Sequence, residues 1–195
     1  MSQVRLLAFA GSTRAASFNK LLVKIAAEGA RQAGAEVTLV DLRDYPLPLF
    51  DQDLEASSGL PADARKLKAL CLEHDGFLIA SPEYNSSITA VLKNTIDWIS
   101  RTERDDEPSL AAYQWKTAAI MSASPGGLGG LRGLVHLRSI LGNIGVLILP
   151  DQVAIPAAYE AFDESGKLKA EGKQSQVLGL GRKLAELTAK VKREA

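Results

Sequence analysis

Short apolar runs alternate with longer stretches of helical apolar spacing from one end of the chain to the other, and that alternation leaves few folds open. Val4 to Ala10 reads as a first strand, Glu36 to Leu42 as a second, Gly76 to Ser81 as a third that stops at Pro82, Thr117 to Met121 as a fourth and Val146 to Leu149 as a fifth. Between them, Phe18, Leu21, Leu22, Ile25 and Ala26 recur at helical spacing with Gly34 placed to end the helix, and Leu67, Leu70 and Cys71 mark a second helix. Ile88, Val91, Leu92, Thr95, Ile96 and Ile99 share one face of a third, Leu131, Leu134, Val135 and Leu141 belong to a fourth, and Leu180, Leu184, Leu187 and Val191 to a last. Strict alternation of this kind is the signature of an α/β protein with a parallel sheet buried on both faces, read here as a single domain over 1–195. In doubly wound sheets ligands sit outside the carboxyl ends of the strands, which selects the loops after strands one, three and four. The stretch from Arg43 to Pro61, with three prolines, Gly59 and two adjacent serines, reads as a long irregular loop.

Composition narrows the partners. Of 195 residues, 46% are apolar, enough for a substantial core. The 23 basic residues cancel the 23 acidic ones, so no long-range field gathers nucleic acid or anionic membrane. One cysteine, Cys71, and two histidines, His74 and His136, read as helical packing or surface residues, leave the usual Cys and His metal sites out of reach. Met1 to Ala10 is too short an apolar stretch for a secretory signal, and no run approaches a membrane span, so the expected location is the cytoplasm.

The first loop, Gly11-Ser12-Thr13-Arg14-Ala15-Ala16-Ser17-Phe18-Asn19, passes from a strand directly into a helix. The hydroxyls of Ser12, Thr13 and Ser17, the Asn19 amide, the free N–H groups of the helix start and the charge of Arg14 suit a phosphate. Read alone, the same residues also fit Ser17 as a plain N-cap with Arg14 solvated. Neither a Gly-x-x-x-x-Gly-Lys-Ser/Thr nor a Gly-x-Gly-x-x-Gly follows the strand, so a phosphate monoester suits the loop better than a triphosphate or a dinucleotide. In the second loop, Ser81 to Ser87, Tyr84 offers a flat face, Asn85 hydrogen-bonding groups, and Pro82 stiffness; Ser86 or Ser87 alternatively caps the next helix. The third, Ser122 to Gly130, carries four glycines that let backbone approach a ligand, or simply make a flexible turn.

With all three loops in hand, the chain resembles the NAD(P)H-dependent FMN reductase family, in particular its bacterial quinone and chromate reductases. The resemblance rests on Gly11 to Asn19, Ser81-Pro82-Glu83-Tyr84-Asn85, Leu92-Lys93-Asn94-Thr95-Ile96-Asp97-Trp98, Pro48 to Asp53 and Gly129-Gly130, and extends over about nine-tenths of the chain. It implies a flavodoxin-like three-layer α/β/α fold with strand order 2-1-3-4-5. It implies FMN held by Ser12, Thr13, Arg14, Ser17, Phe18 and Asn19 at its phosphate end, and by Pro82, Glu83, Tyr84, Asn85, Ser86, Ser124 and Gly126 around its ring. NAD(P)H is the implied co-substrate. The acceptor would be a quinone or a related oxidant such as chromate, a ferric complex, an azo compound or free flavin, reduced in a ping-pong cycle with no catalytic acid or base. A homodimer or homotetramer is implied, with the 43–61 loop near the site and the subunit contact. No 2′-phosphate site is assigned, Arg101 and Arg104 being candidates only by their charge and their place near the strand ends. A flavodoxin-type electron carrier is the competing expectation, but such carriers are strongly acidic and this chain is neutral. An iron-sulfur flavoprotein fails on the single cysteine, and a scaffold without redox activity is the remaining alternative.

Overall fold

The computed structural model describes residues 3–192; Met1, Ser2 and the last three residues, which the 1–195 domain and leader expectations also cover, lie outside the described residues. Five parallel strands form the sheet, β1 (Arg5–Ala10), β2 (Glu36–Val40), β3 (Gly76–Ala80), β6 (Thr117–Ala123) and β7 (Leu147–Ile155), in the order β2-β1-β3-β6-β7. Counting only these strands, this is the expected 2-1-3-4-5. Consecutive residues of each inner strand point to opposite faces, and both faces are dry. Leu6, Ala8, Leu78, Ala80, Ala119 and Met121 pack under α1 (Phe18–Gln32) and α7 (Glu171–Val191). Leu7, Phe9, Phe77, Ile79, Ala118 and Ile120 pack under α3 (Ala62–Glu73), α4 (Ala90–Ile99) and α5 (Leu131–Asn143).

Four readings are corrected by local chemistry. The stretch 43–61 is not wholly irregular, since it holds α2 (Gln52–Ser58), started by Asp51 accepting from the N–H groups of Asp53 and Leu54 and ended at Gly59 with φ 67°. This helix buries no residue, so apolar periodicity could not announce it. Ile88 belongs not to α4 but to a two-stranded hairpin of β4 (Glu83–Tyr84) and β5 (Ser87–Ile88), and α4 is capped by Thr89 in place of Ser86 or Ser87. His74 lies just past the end of α3, where it is buried between the Leu70 carbonyl and the Thr38 hydroxyl (2.6 and 2.8 Å). The fifth strand of the sheet runs on to Ile155, because the register against β6 slips between Ala118 and Ile120 and accommodates Pro150 and Asp151 in the slip. A further short helix, α6 (Ala158–Ala161), follows that strand.

The α1 and α7 layer is set by two glycines. A Cβ on Gly29 would overlap the carbonyl of Leu178, and one on Gly181 the carbonyl of Ala26, so the helices meet backbone to backbone. Gly181→Ala is expected to force them apart at a cost of about 2 kcal/mol, lowering the thermal midpoint by about 4 to 8 °C, which scanning calorimetry measures directly.

Candidate functional site

The carboxyl ends of β1, β3 and β6 carry the three loops selected from sequence, and each pair of loops is fastened by a polar side chain. Asn19, in the first turn of α1, is buried and uses its whole amide on the end of β6. Its Nδ2 donates to the Ala123 carbonyl (2.8 Å) and its Oδ1 accepts from the Ala123 N–H (2.9 Å). Thr89 donates to the Gly11 carbonyl (2.7 Å) while accepting from the Leu92 N–H, which ties the start of α4 to the first loop. Glu83 closes the triangle by accepting from the Gly133 N–H (3.1 Å) and from both Nε and a terminal nitrogen of Arg132 (2.9 and 2.6 Å). Gly11 fits this frame because a Cβ there would press on Leu92.

Between the loops lies a cleft of about 270 Å³ lined by Ser12, Arg14, Ser17, Phe18, Asn19, Pro82, Glu83, Tyr84 and Ser124 of the expected residues, together with Ala123, Pro125 and Tyr159. Thr13, Asn85, Ser86 and Gly126 stand outside this lining. Thr13 is exposed and offers its carbonyl to Arg43 (2.9 Å), and the exposed Gly126 donates its N–H to Ser124 Oγ (3.3 Å). Asn85 and Ser86 make the two-residue turn of the β4 and β5 hairpin with φ 51° and 66°, the left-handed pair that a tight hairpin turn requires. Tyr84 is held 61% exposed on that hairpin.

The start of α1 keeps its polar groups uncommitted. Ser17 stands at the N-cap of α1 and is buried, yet its hydroxyl makes no capping bond. The N–H groups of Phe18 and Asn19 have no acceptor among the described residues. Arg14 is exposed, its guanidinium 5.2 Å from the Phe18 ring centroid. A larger groove of about 580 Å³ lies on the far side of the same loop, between α1 and β2, where Lys20 and Asp41 close on each other at 2.6 Å beside Lys24 and Asp44. Arg101 and Arg104 line neither space. Arg101 pairs with Glu55 (2.7 Å) and covers Phe50, and Arg104 pairs with Asp106 (3.0 Å).

Glu83 is the titratable group that the frame perturbs. Burial pushes its carboxyl up, but the Gly133 N–H and the Arg132 guanidinium together outweigh burial and hold it below its ordinary 4.5. A carboxyl lowered in the folded state adds stability above its unfolded value and loses it as pH falls through the folded one. Glu83→Gln is therefore expected to cost about 1 kcal/mol at neutral pH, with the difference from the native protein shrinking as pH falls below the ordinary 4.5, as urea melts across the acid range would record.

Sequence reading missed Tyr159, Thr89 and Arg132. Tyr159 follows a strand whose apolar run stops at Leu149, which hides the loop after Ile155; Thr89 lies within an apparent helical face, and Arg132 carries no local signal.

A doubly wound parallel sheet in the order β2-β1-β3-β6-β7, with an uncommitted helix start after β1 and a tyrosine-walled cleft at the strand ends, defines a flavodoxin-like protein. The chain belongs to the NADPH-dependent FMN reductase family, whose model matches residues 4–160. It is 37% identical over 172 residues to an NADPH:quinone oxidoreductase of Arabidopsis thaliana, covering 87% of this chain and 81% of the relative. It is 35% identical over 166 residues to an NAD(P)H-dependent FMN reductase of Pseudomonas aeruginosa, covering 85% and 84%. Among solved structures, the flavoenzyme NAD(P)H:(acceptor) oxidoreductase of Paracoccus denitrificans superposes with a TM-score of 0.76 at 25% identity, over 96% of this chain and 98% of that one. The chain is thus an NAD(P)H-dependent, FMN-using oxidoreductase, and the electron-carrier expectation is not favoured.

Proposed function

We propose that this chain passes electrons from NAD(P)H to a quinone, and that the cleft between the three loops is where it does so. The observation that carries this reading is that Ser17, a buried residue, leaves its hydroxyl uncommitted beside the unpaired N–H groups of the α1 start, on the same cleft as Tyr84. These groups fit FMN: Ser12, Ser17, the Phe18 and Asn19 N–H groups and Arg14 would hold its phosphate, and Pro82, Glu83, Tyr84 and Ser124, with Asn85, Ser86 and Gly126 at the rim, would face its ring. The Asn19 amide serves chiefly as the strut that keeps the first and third loops at a fixed distance. Bound FMN supplies the hydride-accepting chemistry.

The chain itself binds, orients and excludes water. NAD(P)H, a proton and a quinone become the oxidised nucleotide and the hydroquinone, with donor and acceptor using the one cleft in turn, the ping-pong order. No protein acid or base is needed. His136 is on α5 and faces the Ser87 hydroxyl (2.9 Å), and His74 is buried under β2. Chromate, ferric complexes, azo compounds and free flavin are further acceptors for the same cleft. Leu128, Leu131 and Val135, all exposed beside it, favour association into a dimer or tetramer. Cys71 is buried and its thiol is pushed up to about 12, a protected thiol that suits the cytoplasm but does not require it.

Purified protein is expected to turn yellow with FMN, to bleach with NADH or NADPH, and to oxidise that nucleotide steadily when a quinone is supplied. Protein that stays colourless after reconstitution, or yellow protein that does not bleach, overturns the reading. Arg14→Ala is expected to weaken FMN by about 1.5 to 3 kcal/mol, seen as a ten- to hundredfold rise in Kd with the apo fold unchanged in circular dichroism.

A further inference from the structure

A fourth element closes on the cleft, and its contribution belongs to none of the three loops. Tyr159 on α6 lines the same space as Ser12, Arg14 and Ser17. Its ring meets the Phe18 ring edge-on, with centroids 6.0 Å apart and planes at 82°, while Phe162 stacks parallel to Phe18 at 5.9 Å. Phe18 is the first residue of α1 and also carries the Arg14 guanidinium. Tyr159 and Arg14 therefore converge on the helix start whose N–H groups and Ser17 hydroxyl are uncommitted.

The position of Tyr159 is fixed. Ala157 before it is held left-handed at φ 47°, a strain of about 1 kcal/mol or more for a residue with a Cβ. The Ala158 N–H donates to the Ser124 carbonyl (3.1 Å), fastening α6 to the third loop, and the Lys169 N–H donates to the Ala161 carbonyl (2.9 Å) from the other side. The result is a tyrosine 68% exposed, whose hydroxyl has no hydrogen-bond partner among the described residues. Packing on Phe18 needs only the ring. A phenylalanine would serve for that, and the hydroxyl is left over.

We propose that Tyr159 is a flavin-binding residue that favours the phosphorylated flavin, its hydroxyl donating to the FMN phosphate beside Arg14 and Ser17. The inference rests on the FMN reading above. A phenol O–H beside a phosphate makes a charge-assisted hydrogen bond, stronger than a neutral one, and only a flavin that carries the phosphate benefits from it. Riboflavin, which has the same ring and no phosphate, is the control that separates this role from packing.

The test is titration of apo protein with FMN and with riboflavin, following flavin fluorescence, for the native chain and Tyr159→Phe. The expected result is about a tenfold loss of FMN affinity with riboflavin affinity and the apo thermal midpoint unchanged. FMN affinity unchanged by Tyr159→Phe, or equal losses for the two flavins, overturns the role of the hydroxyl while leaving the FMN site standing. A native chain that binds no FMN overturns both.

Discussion

The paired hydrogen bonds between the Asn19 amide and the Ala123 main chain hold the site together. They join residues 104 positions apart, and they do so in the buried floor where the first helix meets the end of the fourth strand of the sheet. An amide satisfied at both ends in a dry setting is strong because the alternative, two orphaned backbone groups, is costly. With that distance set, the Ser17 hydroxyl and the α1 N–H groups face the third loop across a space of defined width. The Thr89 and Glu83 ties then fix the second loop against both of the others. A cofactor that brings its own chemistry asks this of its protein, a rigid receptacle more than a reactive side chain.

The division of labour among the three ties follows their surroundings. Asn19 and Thr89 are neutral and buried, so their bonds do not respond to pH or salt. Glu83 works at the margin, with Arg132 partly in solvent, and is the tie that acid loosens. The frame is thereby anchored by its floor and adjustable at the hairpin that displays Tyr84.

The sheet was legible because burial on both faces makes its strands short unbroken apolar runs, as in Leu6 to Ala10 and Phe77 to Ala80. What escaped reading lacked that signal. α2 leans on the Leu60, Ala64 and Trp98 cluster through Leu54 alone, too little for a periodic signal, and its start and stop at Asp51 and Gly59 are visible only once a helix is suspected. Ile88 lies four residues before Leu92, so a hairpin residue counterfeited a helical face. β7 is interrupted by Pro150 and Asp151, which ordinarily end a strand, and the misplaced end hid the α6 loop and Tyr159 with it. Within the site, the hydroxyls of the first loop and its position after β1 were legible, and the fold brings Ser12, Arg14 and Ser17 to one cleft with Pro82 to Tyr84. The task of Asn19 could not be read, because its partner is named by the tertiary fold and not by any neighbour in sequence.

The slipped register of β7 reaches beyond the strand itself. β7 is an edge of the sheet, and an edge normally presents an open row of donors and acceptors to any other extended chain. Pro150 removes one donor from that row, and the displacement around it breaks the spacing of the rest. A second strand cannot zip along such a border. The opposite border, β2, keeps an unslipped register, so a strand that adds to this sheet finds its regular row of partners on that edge alone.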